Sequence, residues 1–175
     1  MRFFLTLLLL LLAAWPADAS LPPIRLGRDA ALIQTRSCVG ETQFHHDTCV
    51  AMTWIHMKRA QLHGTTLATM ASRYSTVIRR PRRAWIFLLK PEGPMPMTWP
   101  RRISWSRYQE RFRDLHEKVE EVLRGEVSDP CPDAMHYGGP MDAVPRGYEA
   151  APACLPDRSS RQIFYRRIVT TGDAT

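Results

Sequence analysis

The chain contains no Cys-x-x-Cys, no His-Glu-x-x-His, no Gly-x-Ser-x-Gly and no glycine-rich loop of the phosphate-cradling kind. The first absence disfavours a zinc site built from four thiolates, and the second a helix-borne metalloprotease site. The third disfavours a serine hydrolase, and the fourth a nucleotide-dependent enzyme. His45, His46 and His136 are of the type that zinc prefers, but adjacent histidines point in different directions on any regular backbone. Neither a metal nor another cofactor is therefore expected. There is no internal repeat, no low-complexity tract and no apolar run of membrane length beyond the N-terminal region.

That region has its own signature. Arg2 supplies a short positive stretch, Phe3 to Ala14 are apolar except for Thr6, and Ala17-Asp18-Ala19 forms a small-x-small cleavage site. The apolar stretch is too short to span a bilayer. Residues 1–19 are thus expected to be a removable secretory signal, with a retained N-terminal anchor as the alternative. The mature part, Ser20 to Thr175, has the size of one ordinary domain and is expected in the periplasm or cell wall. Its net charge stays at +7, because Arg2 and Asp18 cancel. Outside the cytoplasm the polyanions within reach are wall polymers and lipid head groups, so peripheral contact with such surfaces is expected and nucleic acid is not. Much of the charge lies in Arg79-Arg80-Pro81-Arg82-Arg83 and Arg101-Arg102, runs that commonly form solvated loop surface.

Cys38, Cys49, Cys131 and Cys154 all fall in the exported part, where oxidising conditions favour pairing. Three connectivities are possible. The local pairs Cys38 with Cys49 and Cys131 with Cys154 are favoured, since each closes a loop around a segment argued below to be functional.

Residues 20–28 read as a lead-in with little fixed structure, and a single domain is expected over 29–170. Val50, Met52, Trp54, Ile55 and Met57 predict a buried helix from Asp47 to Ala60, capped by Asp47 or Thr48, with Gly64 beyond its end. A shorter helix is predicted over Leu67 to Arg73, capped by Thr65 or Thr66. Residues 79–102 hold five prolines and read as a long loop with one apolar island, Trp85 to Leu89. Trp105, Tyr108, Phe112, Leu115, Val119 and Val122 alternate steps of three and four, predicting an amphipathic helix with Gly125 at its C-cap. The following stretch to about Pro156 is rich in Gly and Pro, and only Gln162 to Val169 has strand character. The expected class is α+β, mainly helical with a small β component.

Glu41 is the carboxylate singled out. It sits beside Cys38 and just before the buried helix, where a carboxylic acid loses hydration of its charged form and can keep its proton. Cleavage of a glycosidic bond asks this of its general acid, which must protonate the departing oxygen. The plainer reading of Glu41 is a helix cap or dipole partner. Tyr74, Ser75, Tyr137 and Tyr165 are candidates for lining a sugar groove, because sugar faces stack on aromatic rings and sugar hydroxyls need polar partners. The plainer reading of such tyrosines is a bridge between core and surface. His136 is a further groove candidate.

Several short motifs recur in order: Gly40-Glu41, a helix ending in Lys58-Arg59, Arg73-Tyr74-Ser75, a helix ending at Leu123-Arg124-Gly125, Asp129-Pro130 through Ala134-Met135-His136-Tyr137, and Gln162-Ile163-Phe164-Tyr165-Arg166. Their order and spacing over Cys38 to Arg166 resemble the cell-wall hydrolases of the spore-cortex-lytic type. That family shows Gly-Glu before a helix closing in Asn-Arg, then Gln-Phe-Ser, a helix followed by Asp-Pro and Gly-Ala-x-x-Tyr, and a terminal His-x-Phe-Tyr. Lys58, Arg73, Asp133 and Gln162 stand where the family has Asn, Gln, Gly and His, and His45-His46 take the place of its second acid. The resemblance implies a lysozyme-like α+β fold, cleavage between the two amino sugars of peptidoglycan, and Glu41 as the catalytic acid. Tyr137 and Tyr165 match family tyrosines.

With one acid identified, the nature of the attacking group is open. Asp129, Asp133 and Asp142 are distant in sequence, so only the fold could bring one of them near. In a lytic transglycosylase the substrate's own hydroxymethyl oxygen attacks, and Glu41 could act first as acid and then as base. The lytic route is therefore the expectation, for a monomeric enzyme acting on glycan strands. Two other readings stand beside it: a wall-binding or assembly protein that keeps the fold without turnover, and a small disulfide protein that binds polyanions through its arginines.

Overall fold

The computed structural model describes residues 23–79, 95, 103–151, 154 and 162–168. The expected signal and most of the two arginine runs lie outside the described residues, as does the apolar island. Among the described residues the order is α1 (Ala30–Thr42), α2 (His46–Leu62), α3 (Leu67–Tyr74), α4 (Thr76–Arg79), α5 (Trp105–Leu123), β1 (Ala134–Gly138), β2 (Tyr148–Ala150) and β3 (Ile163–Arg167). The class is α+β. No described helix is long and apolar enough to cross a membrane.

Two helices follow their sequence signals closely. In α5 the buried residues are Tyr108, Phe112, Leu115, Val119 and Val122. Ser104 accepts the Arg107 N–H at 3.3 Å as the N-cap, and Gly125 takes φ 77° after the last turn. In α3, Thr66 accepts the Thr69 N–H at 3.2 Å. The orphan donors of that first turn also find partners, because the Leu67 and Ala68 N–H groups donate to the carbonyls of Arg25 and Leu26 at 2.8 and 3.0 Å. The end of the lead-in is thus fixed rather than loose, and Ile24 packs on the core formed by Val50, Leu67 and Val122.

Helix α1 was not expected. It has no apolar stripe, because its buried residues include Gln34, Thr35, Ser37 and Thr42 alongside Ala30, Cys38 and Val39. It is helical because α2, α3 and α5 surround it and its buried Gln34, Thr35 and Thr42 side chains find partners inside. Glu41 accordingly lies in the last turn of a helix, not in a short segment ahead of one. Beyond it the chain reverses through Gln43 and Phe44, which take φ 53° and 71°. Left-handed conformations in non-glycine residues cost about 1 kcal/mol each. The Cys38–Cys49 disulfide ties α1 to α2 across this reversal, with Cα atoms 5.2 Å apart. A cross-link closing so short a loop contributes about 3 kcal/mol in the loop-entropy account.

The sheet has the order β1-β3-β2, antiparallel throughout. Strands β1 and β2 were not expected in a Gly- and Pro-rich stretch. His136 pairs with Tyr165 and Tyr137 with Phe164, but the register shifts between Ala134 and His136. This bulge changes the parity of the strand, so that Ala134 and Tyr137, three residues apart, both pack on the core with Ile55 and Phe164. The Cys131–Cys154 disulfide fastens the start of β1, so both local pairs form. Lys58 of α2 donates to the Asp129 carboxylate at 2.8 Å and to the Cys131 and Pro132 carbonyls at 3.1 and 2.9 Å, clamping the same loop to the helices.

At Gly40 two elements, α1 and α4, come close together. A Cβ there would lie 2.6 Å from Val77 Cβ and 2.7 Å from its Cγ2, inside contact distance of a branched side chain that cannot swing away. Gly40→Ala is expected to lower stability by about 1–3 kcal/mol, as overpacking does. Urea unfolding checks this: Val77→Ala in the Gly40→Ala background should recover part of the loss, and a Gly40→Ala protein as stable as the parent would refute the steric account.

Candidate functional site

Glu41, His56, Arg59, Tyr74, Tyr137 and Asp142 line one pocket of about 300 Å³, together with Ile55, Thr76, His136, Gly138, Gly139 and Gln162. This is near the small end of the range for ligand sites. Helices α1 to α4 form one wall, while β1, the loop after it and the residue before β3 form the other.

Glu41 is half-buried, and both described hydrogen bonds of its carboxylate fall on one oxygen. Ser75 Oγ donates to Oε1 at 3.2 Å, and the Thr76 N–H donates to the same atom at 3.1 Å. Ser75 also accepts the Ile78 N–H at 3.4 Å, so its hydroxyl both starts α4 and holds the carboxylate. On the other side, Gln162 Nε2 donates to the Glu41 carbonyl at 3.0 Å.

Arg59 brings the positive charge. Its guanidinium carbon lies 3.8 Å from the centre of the Tyr74 ring, a cation–π contact, and Nη1 donates to the Met135 carbonyl at 3.4 Å. Asp142 comes from the loop after β1 and lies, exposed, at the pocket's edge, where the Gly139 N–H donates to Oδ2 at 2.6 Å. The fold therefore supplies a second carboxylate to the pocket, which removes the premise that Glu41 stands alone. Asp129 is taken up by Lys58 and by the Cys131 N–H at 2.9 Å, and Asp133 is exposed outside the pocket lining.

His56 is wholly buried in α2. Its Nδ1 is 2.8 Å from Gln34 Oε1 and its Nε2 is 3.1 Å from Tyr137 Oη. Burial first, then the Arg59 and His136 charges, lower its pKa from 6.5 to about 3, so the ring is neutral near neutral pH. Burial, and after it the Glu41 charge, hold the Tyr137 phenol above its ordinary range, so it keeps its proton. His136 Nδ1 donates to the Tyr137 carbonyl at 2.7 Å, and burial holds this imidazole below its usual range.

Of the residues singled out from sequence, Glu41, Tyr74, His136 and Tyr137 meet in the pocket. Ser75 is buried beneath it and reaches Glu41. Tyr165 does not line it: only 3% exposed on the middle strand, its ring lies 6.3 Å from that of His136 and supports it. His45 and His46 are exposed at the start of α2, apart from His136. Among the described residues no group of three or more His, Cys, Asp or Glu side chains is placed to hold a metal ion. His56 and Thr76 went unnoticed in the sequence, and Arg59 was seen only as the end of a motif, not as a pocket residue. The available signal was His56 itself, a polar residue at helical spacing among Met52, Ile55 and Ala60.

No family model, curated protein or solved structure matches the chain.

The buried His56 has a thermodynamic consequence. The unfolded chain takes up a proton on this ring as pH falls through 6.5, whereas the folded chain does so only near pH 3. Unfolding therefore binds a proton throughout that window, and stability is lost as pH falls through it. His136 acts in the same sense. Calorimetry at about pH 7 and about pH 5 should show a lower Tm at the acid end. In His56→Gln the difference should shrink; an unchanged difference would exclude His56 as its source.

Proposed function

We propose that the protein cleaves glycan strands of bacterial peptidoglycan, with Glu41 as the proton donor to the departing glycosidic oxygen. The observation that carries this reading is the placement of Glu41 in a sugar-sized pocket between Tyr74 and Tyr137, with both described hydrogen bonds of its carboxylate on Oε1. Two donors on Oε1 bias the acid proton to Oε2, the oxygen left for a ligand. The pocket also mixes donors from Arg59, Thr76 and Gln162 with acceptors on Asp142 and His136, which suits hydroxyl and amide groups of an amino sugar. The resemblance to spore-cortex-lytic enzymes supports the same assignment, and export would give the enzyme access to its substrate.

After proton transfer Glu41 is a carboxylate and can take the proton of the sugar's hydroxymethyl group as that oxygen attacks the anomeric carbon. This lytic route leaves an anhydro sugar and needs no water. Asp142 would then stabilise the positive charge that develops at the anomeric carbon. Its presence also favours a second reading, hydrolysis, in which Asp142 removes a proton from an attacking water.

Zymography on purified cell walls tests the assignment. The native protein should give a clear band, and Glu41→Gln should lose about 100-fold or more of the activity, as expected when a general acid is removed. Equal bands would dispose of Glu41 as the acid, and absence of a band for the native protein would favour a wall-binding role. Mass spectrometry of the products separates the routes: anhydro ends mark the lytic one, whereas reducing ends that disappear in Asp142→Asn mark hydrolysis.

A further inference from the structure

A hydrogen-bonded chain runs from the Cys38–Cys49 disulfide through the interior to the pocket, and its direction follows from the chemistry of its members. Thr53 Oγ1 donates to the Cys49 carbonyl at 2.8 Å, which uses its only proton. Thr53 can therefore only accept from Gln34, 3.1 Å away, and the disulfide sulfur of Cys38, 3.6 Å away, can only accept as well. The Gln34 nitrogen must face these two acceptors, so its oxygen faces His56. That oxygen accepts only, which places the imidazole proton on Nδ1. In the neutral ring Nε2 is then an acceptor, and the hydrogen bond it shares with Tyr137 must be donated by the phenol.

We propose that His56 is a positioning residue that commits the only proton of Tyr137 Oη to the interior, so that this oxygen faces the pocket solely as a hydrogen-bond acceptor. The subsite at Tyr137 would accordingly take a ligand group that donates. On the glycan reading above, from which the identity of the ligand is taken, that group is an N-acetyl N–H or a hydroxyl of the amino sugar. The arrangement excludes a bare carbonyl or carboxylate at the same place, because two acceptors would then face each other with no proton between them. A donor bound at Oη would also polarise the phenol and strengthen its bond to His56, since consecutive hydrogen bonds reinforce one another.

Nitrogen-resolved NMR of histidine in the full chain reads the chain of bonds directly. Near neutral pH, His56 should show a proton on Nδ1 and an unprotonated Nε2; a proton on Nε2, or a doubly protonated ring, would overturn the proposal whatever the protein acts on. Titration of the Glu41→Gln protein with an N-acetylglucosamine tetramer should shift the His56 Nε2 resonance. Tyr137→Phe in that background should bind the tetramer roughly tenfold more weakly, as loss of one well-placed hydrogen bond implies, and should abolish the shift. A tetramer that binds equally well to Tyr137→Phe, or that leaves Nε2 unmoved, would overturn the acceptor subsite. Failure of the tetramer to bind at all would overturn both the sugar ligand and the glycan reading, while the protonation pattern would still decide the role of His56.

Discussion

The contact between Gly40 and Val77 sets the geometry of the whole pocket, because it fixes how near α4 can come to the last turn of α1. With no side chain at position 40, Val77 settles against the helix backbone. That approach carries Ser75 Oγ and the Thr76 N–H to within 3.2 and 3.1 Å of the next residue's carboxylate. A methyl group at position 40 would push α4 outward and remove both donors together. Glycine before glutamate thus has a steric meaning: the first residue makes the room in which the second is held.

The interior behind this contact is polar. Gln34, Ser37, Thr53 and His56 are all fully buried between α1 and α2, where an unpaired polar group costs on the order of 1–3 kcal/mol. An apolar core of the same shape would avoid that cost but could not hold a phenol in one orientation at the pocket wall. The disulfide at one end and Tyr137 at the other give this polar layer a fixed beginning and end. Its order is transmitted through Thr53, Gln34 and His56, whose donor and acceptor atoms each have one permitted role.

These features also explain which parts of the molecule were legible in the sequence. Helix α5 was readable because one face is apolar and the other charged, and α3 because Thr66 and its spacing announce a cap. Helix α1 was not, since a helix buried around Gln34, Thr35 and Ser37 has neither stripe nor run to detect. Strands β1 and β2 were hidden because their short, half-exposed segments carry His136, Gly138 and Glu149 rather than β-branched residues, and the bulge at β1 breaks the period of two. Of the site, Glu41 was singled out by its place beside Cys38 ahead of an apolar helix and Tyr137 as a ring on which a sugar could stack, while Arg59 and His56 needed the fold to face them inward. Asp142 was visible only as one of several distant aspartates, and the turn that places it at the pocket's edge depends on a hydrogen bond to the Gly139 backbone.

The departures from the resembling family also acquire physical content at the pocket walls. Lys58, where that family has Asn, reaches a carboxylate and two carbonyls at once, something a short amide cannot do; it anchors the loop that leads into β1. Gln162, where the family has His, donates to the backbone of Glu41 itself across the cleft. Arg73, by contrast, is exposed and outside the pocket lining, so its replacement of Gln leaves the walls intact. Two of the four substituted positions, Lys58 and Gln162, thus bind separate elements to one another, whereas Arg73 and Asp133 are exposed outside the pocket lining.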